Sequence, residues 1–230
     1  MNKYMKKIFL VIAPHADDET LGCGAAIAKL SEQGHLVYVV IMTNASIGAP
    51  ELFSQESINK VRKEALQAHK ILGVAQTFFC ELPAPCLDQY PQYKISATLA
   101  EIISDLKPET IFVPHRGDLH LDHGAVFNAA LVAVRPQNGN TVKTILAYET
   151  LSETEWGHPF PDSVFVPNYF ITVSEENLQK KIAAMSAFES QLKEFPHSRS
   201  TQAIEYLARF RGATVGAKAA EAYSLVRLID

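Results

Sequence analysis

Short apolar runs alternate along this chain with longer amphipathic stretches. Ile8 to Ala13 is six consecutive apolar residues closed by Pro14, the pattern of a strand buried on both faces of a parallel sheet. Thr20 to Gln33 is rich in Ala, Leu and Ile with Gly34 behind it, which reads as a helix with a C-terminal glycine stop. His35 to Met42 is a second, β-branched run, and it ends in a polar loop from Thr43 to Ser54 that contains Gly48 and Pro50. Ile58, Val61, Ala65, Ala68 and Leu72 then recur at helical spacing up to Gly73. Gln76 to Leu82 predicts a third strand and Ser96 to Leu106 a third helix, joined by a stretch from Pro83 to Tyr93. Thr110 to Pro114 is a fourth strand, followed by a helix from about Asp122 to Val134, a turn from Arg135 to Asn140, and a fifth strand from Val142 to Tyr148.

Trp156 to Asn168 holds Gly157, Pro159, Pro161 and Pro167, so it reads as a surface loop. Tyr169 to Val173 predicts a sixth strand. Beyond it Leu178, Ile182, Met185 and Leu192 line one face of a helix, and Thr201 to Leu228 reads as helical with a break near Gly212. Strands that alternate with helices imply parallel βαβ units with right-handed crossovers, hence an α/β, three-layer Rossmann-like fold around a mostly parallel sheet. No repeat, linker or low-complexity tract interrupts it, and 230 residues suit a single domain over 1–230. In such sheets ligands bind beyond the carboxyl ends of the strands, near the switch in strand order, so chemistry is expected just after strands.

Composition narrows the picture. A hydrophobic share of 47% and a charged share of 20% exclude a disordered chain, a collagen and a coiled-coil rod. The net charge of −4 gives no general basic field to hold nucleic acid or an anionic membrane, so a phosphate-rich partner would need a local cationic pocket. Cys23, Cys80 and Cys86 form no Cys-x-x-Cys pair and no even disulfide set, which suits a reducing compartment, the cytoplasm. The basic start from Met1 to Lys7 followed by an apolar run has the order of a signal peptide, but Pro14 cuts the run short of the usual h-region of about 7–15 residues. No run approaches the ~18 residues of a membrane span.

Two positions hold the unusual polar clusters. Pro14-His15-Ala16-Asp17-Asp18-Glu19 follows the first strand directly, and His115 to His123, with Asp118, His120 and Asp122 between them, follows the fourth; together they hold four of the eight histidines. Imidazole and carboxylate are the ligand set of a catalytic zinc, which keeps three protein ligands and one open position. His15, one of the adjacent aspartates and one histidine of the second stretch supply that count. Asp17 and Asp18 are neighbours whose side chains point in different directions, so one can bind while the other acts on water. Taken singly, each cluster has a plainer explanation: acids at a helix start cap its amides, and two histidines one turn apart are commonly structural. Taken together, a burial-only account gives no reason for so many titratable groups at the mouth of one sheet.

Pro14 to Glu19 resembles the Pro-His-(Pro/Ala)-Asp-Asp-Glu signature of the LmbE-like, or PIG-L, family of zinc-dependent N-acetylglucosaminyl deacetylases, and His120-Leu-Asp-His123 resembles its His-Pro-Asp-His element, with Leu121 in place of the usual Pro. Arg62-Lys-Glu64 with Leu72-Gly-Val74, Ser190-Gln191 and Ala220-Glu221 are weaker echoes. The resemblance implies that His15, Asp18 and His123 hold Zn²⁺, that Asp17 is the general base, and that His120, protonated, stabilises the oxyanion or protonates the leaving amine. Zinc would lower the pKa of its water from about 15.7 towards 7, and acetate would leave from an N-acetylated amino sugar. Asp122 and Asp118 suit two roles equally: orienting His120, or capping the following helix. Arg62 has no acid three or four residues away and so is free to point at a ligand; the family likeness implies a substrate or acetate contact, the plainer reading being a solvated helix arginine. Trp156, His158 and the Ser46–Phe53 loop have the aromatic and hydroxyl groups of a sugar-binding rim, although loop aromatics are commonly packing. The resemblance also leaves room for a homo-oligomer.

Two other classes compete. Gly22-Cys-Gly24-Ala-Ala-Ile27 is a partial dinucleotide fingerprint that would suit a Rossmann oxidoreductase, but its third glycine is Ile27 and the second strand ends at Thr43-Asn44 without an acid for a ribose hydroxyl. Small residues there are read instead as close helix-to-sheet packing. The other is a metal-holding protein without catalysis, or a related amidase of a thiol-sugar conjugate. Asp17 discriminates, because a mere metal holder gains nothing from a second, non-ligating carboxylate.

Overall fold

Alternate residues of the first apolar run go to opposite sides of the sheet: Val11 and Ala13 enter one core, Leu10 and Ile12 the other, and all four are fully buried. That double burial is why the run lacks polar interruptions. The computed structural model describes residues 6–137 and 139–230. Residues 1–5, on which the signal-peptide comparison partly rests, and Asn138 of the Arg135–Asn140 turn lie outside the described residues.

The elements follow as β1 (Ile8–Ala13), α1 (Asp18–Glu32), β2 (Leu36–Asn44), α2 (Ala45–Gly48), α3 (Gln55–Leu72), β3 (Gln76–Pro83), α4 (Gln92–Leu106), β4 (Thr110–Pro114), α5 (Leu121–Ala133), β5 (Thr144–Tyr148), β6 (Tyr169–Thr172), α6 (Glu175–Ser186), α7 (Thr201–Ala213) and β7 (Ala220–Leu228). The sheet order is β3-β2-β1-β4-β5-β7-β6. The first five strands pair in parallel, and β7 runs antiparallel to both β5 and β6. Residues of α1, α3, α6 and α7 fill the core on one face, and residues of α4 and α5 fill the other. This is the mostly parallel three-layer α/β fold that the alternation implies.

β1 and β4 run parallel, but the strand order switches direction between them: β1 leads through α1 to β2 on one side, β4 through α5 to β5 on the other. The crevice at their carboxyl ends is the switch point of the sheet. Both polar clusters open from it.

The main departure from expectation is at the C-terminus. Thr201 to Leu228 is a helix only to Ala213; Ala220–Leu228 is a strand wedged between β5 and β6. The expected Thr43–Ser54 loop contains the last residues of β2 and the short α2, α4 begins at Gln92 rather than Ser96, and α6 ends at Ser186, so Leu192 lies beyond it. Gly22 does serve close packing, since a Cβ there would lie 2.2 Å from the Tyr148 ring on β5. The three cysteines are free. Among the described residues no helix is long and apolar enough to cross a membrane.

Candidate active site

The chain leaves β1 through Pro14, whose carbonyl accepts a hydrogen bond from Thr43 Oγ1 at 2.8 Å, and turns into α1 at Asp17. Asp17 adopts φ 125° and ψ −28°, a conformation that costs a non-glycine residue about 1–3 kcal/mol. Its side chain does not cap the helix. Instead its N–H donates to Glu19 Oε2 (3.1 Å), and its carbonyl accepts from Thr20 N and Leu21 N. Glu19 is itself buried and held by His69 Nε2 at 3.0 Å and by the Thr20 hydroxyl at 2.7 Å. The turn is therefore anchored from below, and the Asp17 carboxylate is left for another use.

Asp18 Oδ2 lies at the meeting point of three residues. It accepts from the His15 backbone N–H (2.8 Å) and stands 3.3 Å from both His15 Nδ1 and His123 Nε2. The distal nitrogen of each imidazole is tied to its own buried carboxylate: His15 Nε2 to Asp122 Oδ2 at 3.0 Å, His123 Nδ1 to Asp118 Oδ2 at 2.7 Å. Those carboxylates are fixed in turn, Asp122 Oδ1 by Leu87 N–H and Asp118 Oδ1 by Thr154 Oγ1. His123 Nε2 is buried without a hydrogen-bond partner. The ligand atoms of His15, Asp18 and His123 all lie within 4.8 Å of one another. Two oriented imidazoles and one carboxylate, with the buried His123 Nε2 left unclaimed, fit a divalent cation, with outer carboxylates setting each ring. His15, His120 and Asp122 also come within that reach, but Asp122 and the His120 Nδ1 are already engaged.

The outer carboxylates thus act on His15 and His123, whereas the sequence pointed to His120. Asp122 Oδ2 is 4.0 Å from His120 Nδ1, too far for a hydrogen bond. His120 Nδ1 accepts from the Asp122 N–H at 3.2 Å, capping α5, so in the neutral ring the proton sits on Nε2. Burial and the neighbouring His15 lower the His120 pKa to about 4, which favours that neutral ring over the imidazolium expected from the sequence. Burial raises Asp17 to about 7, against the pull of Arg199. For Asp18 burial also favours the neutral acid, but His123 and His15 outweigh it and hold the carboxyl well below the usual range. Burial opposes a charge on His15 and is outweighed by Asp122 and Asp18, which bring it to about 9.

A cavity of about 440 Å³ opens over this cluster, lined by His15, Asp17, His120, Glu153 and Arg199 at its polar end and by Ile41, Phe53, Ile58 and Val61 along an apolar wall. Arg62 lines it too but is not free: Nη1 pairs with Glu81 Oε1 at 2.7 Å, Nη2 donates to the Cys80 carbonyl, and the guanidinium lies over Phe79. Glu81 comes from β3, so spacing along α3 could not reveal it. His115 turns away to the Ser163 carbonyl (2.7 Å), tying down the Pro-rich loop, while Trp156 packs on His197 and His158 on Phe160. Of the expected Ser46–Phe53 rim only Phe53 reaches the cavity. Sequence reasoning missed Arg199, whose Nη1 is 3.2 Å from Asp17 Oδ2, and Glu153 beside it. Arg199 lies in no motif and follows no strand directly, while Glu153 sits in the loop after β5, outside the two polar clusters.

Residues 10–134 match the family model PIG-L, described as GlcNAc-PI de-N-acetylase. An uncharacterized deacetylase of Escherichia coli, YaiS, is 33% identical over 190 residues, covering 80% of this chain and 92% of that protein. Among solved structures, the N,N'-diacetylchitobiose deacetylase of Pyrococcus horikoshii superposes with a TM-score of 0.76 at 22% identity, over 97% of this chain and 85% of that one. The 4-carboxy-2-hydroxymuconate hydratase of Pseudomonas putida superposes nearly as well, at 0.74 and 20% identity over 97% and 98%, so the fold alone does not fix the reaction. The family match spans both β1 and β4 with the clusters that follow them, and with the Escherichia coli relative it places this chain in the PIG-L family of deacetylases.

Proposed function

We propose that this protein is a metal-dependent hydrolase that removes the acetyl group from an N-acetylated amino sugar, with His15, Asp18 and His123 as the metal ligands. The observation that carries this reading is the convergence of the two imidazoles on Asp18, each with its distal nitrogen held by a buried carboxylate and the buried His123 Nε2 unclaimed. Zn²⁺ suits the nitrogen and oxygen donors, and when bound it supplies Lewis acidity that brings the pKa of water from about 15.7 towards 7.

The chain's own residues account for the remaining steps. Asp17, buried, with its carboxylate unused as a helix cap and lining the cavity, takes the proton of the attacking water. As the water oxygen bonds to the acetamide carbon, the neutral His120 donates its Nε2–H to the oxygen that becomes negative. The carbon–nitrogen bond then breaks, Asp17 returns its proton to the departing amine, and acetate and the free amino sugar leave. The apolar wall of Ile41, Ile58 and Val61 keeps bulk water from one side; Phe53 offers the substrate a stacking surface, and Arg62 the N–H groups that Glu81 and the Cys80 carbonyl do not take. The deacetylase names of the relatives and the sugar in the Pyrococcus enzyme's name support this substrate class.

The test is elemental analysis of the purified protein together with acetate release from N-acetylglucosamine, N,N'-diacetylchitobiose and their conjugates. One divalent ion per chain and acetate from at least one of these are expected, and Asp17→Asn should keep the ion while losing about 10²–10⁴-fold in turnover. A metal-free protein that releases no acetate, or an Asp17→Asn variant as fast as the wild type, overturns the reading.

A further inference from the structure

Glu64, Ser190 and Gln191 echo family motifs without any role in the metal cluster, yet the structure joins them in one line of hydrogen bonds that ends on Asp17. Glu64, on α3, is buried and accepts from Ser190 Oγ (2.5 Å) and Ser190 N (3.3 Å). Gln191 Nε2 donates to Ser190 Oγ at 3.1 Å, and Gln191 Oε1 accepts from Arg199 Nη1 at 3.1 Å. Arg199 Nε donates to Ser152 Oγ at 2.7 Å, and Nη1 stands 3.2 Å from Asp17 Oδ2.

The polarity of this line is set at its far end. An ionised Glu64 can only accept, so the Ser190 hydroxyl proton is committed to it and the hydroxyl oxygen is left to receive the Gln191 amide. That turns Gln191 Oε1 towards Arg199 and no other way. With Gln191 on one nitrogen and Ser152 on another, the planar guanidinium has a fixed attitude. Ser152 is itself held at φ 73°, a strained position for a side-chain-bearing residue. Asp17 Oδ2 is buried and has no hydrogen-bond partner, so its contact with Arg199 is ionic rather than directional. The attitude of the carboxylate consequently follows the place of the guanidinium.

We infer that Glu64, Ser190, Gln191 and Arg199 form a positioning chain that sets the orientation of the Asp17 carboxylate, Arg199 acting on it directly. The inference rests on the reading of Asp17 as proton acceptor. It also gives Ser190-Gln191 and Glu64 a common purpose, since they come from separate parts of the sequence and meet only through this line.

The experiment compares Asp17→Asn, Arg199→Gln, their double variant and Ser190→Ala for kcat, KM and metal content, together with the crystal structure of Arg199→Gln. A misplaced base costs rate rather than binding, so Arg199→Gln should lower kcat at least about tenfold with KM within about threefold and metal content unchanged. The double variant should be no slower than Asp17→Asn alone, because Arg199 acts only through Asp17. Ser190→Ala should move kcat the same way by less, and free guanidinium should restore part of the activity of Arg199→Ala. In the crystals Asp17 should leave its place while His15, Asp18 and His123 keep theirs. Additive losses in the double variant, a raised KM at unchanged kcat, or an unmoved Asp17 each overturn the inference. Wild-type turnover in Asp17→Asn would instead sink the proton-acceptor reading, and the position of Asp17 in the Arg199→Gln crystals would still decide the chain.

Discussion

Each imidazole of the proposed metal site is held by a carboxylate that is not itself among the proposed ligands. Asp118 holds His123 Nδ1 at 2.7 Å and is itself held by Thr154, from the loop after β5. Asp118→Asn keeps the shape but cannot accept through both oxygens, so the ring loses its fixed tautomer. Metal affinity should fall about 10–100-fold, read by competition with a chromophoric chelator. The sequence exposed His15, Asp17, Asp18, His120 and His123 because all lie in two short runs after strands. It left the partners of Asp118 and Asp122 ambiguous, because a helix-capping acid and a ring-orienting acid occupy the same position in a chain. It was silent on Arg199, which reaches Asp17 from 182 residues away through space alone.

At the scale of elements, periodicity was legible wherever burial was two-sided or amphipathic. β1 and β4 match their expected bounds, since runs such as Thr110–Pro114 are buried along their whole length. β7 was misread because Ala220-Glu-Ala-Tyr-Ser-Leu-Val-Arg-Leu228 is rich in helix formers, and the slot between β5 and β6 overrides that preference. What seats the strand is partly electrostatic: Glu221, buried on β7, pairs with Lys181 of α6 at 2.6 Å and accepts from Ala25 N and Ala26 N of α1. Lys181 also donates to the Leu21 carbonyl. Glu221→Gln leaves a buried ammonium without its counter-charge and should cost about 3–5 kcal/mol in denaturant unfolding. Gly22→Ala tests the neighbouring contact. Its methyl would enter the fully buried Tyr148 ring, whose hydroxyl is tied to Ile12 O, so a loss of about 1–3 kcal/mol is expected by the same measurement.

For the whole molecule, the cluster at the switch point ties stability to pH, and on the proposed reading it does so in a way that separates the metal-stripped from the metal-loaded protein. In the stripped protein His15 is raised to about 9 from 6.5, so the stability it contributes is fully present below pH 6.5 and lost as pH rises through 9. His123 shifts in the same direction, once burial is outweighed by Asp18 and Asp118. Asp17, raised by burial from 3.8 to about 7, costs stability progressively as pH rises from 3.8 to 7, and that cost is complete above 7. Asp18 runs the other way, its carboxyl being held low, but it gives up its contribution only in acid, outside this range. The stripped protein should therefore lose melting temperature steadily between about pH 6 and 9. Metal ligands must give up their protons to bind, so affinity for the cation rises over the same interval and adds stability by mass action. The gap in melting temperature between zinc-loaded and chelator-treated samples should widen with pH. Calorimetry at pH 6, 7.5 and 9 on both samples reads it directly, and a gap that is constant or narrows would mean that His15 and His123 do not exchange protons for a shared ion.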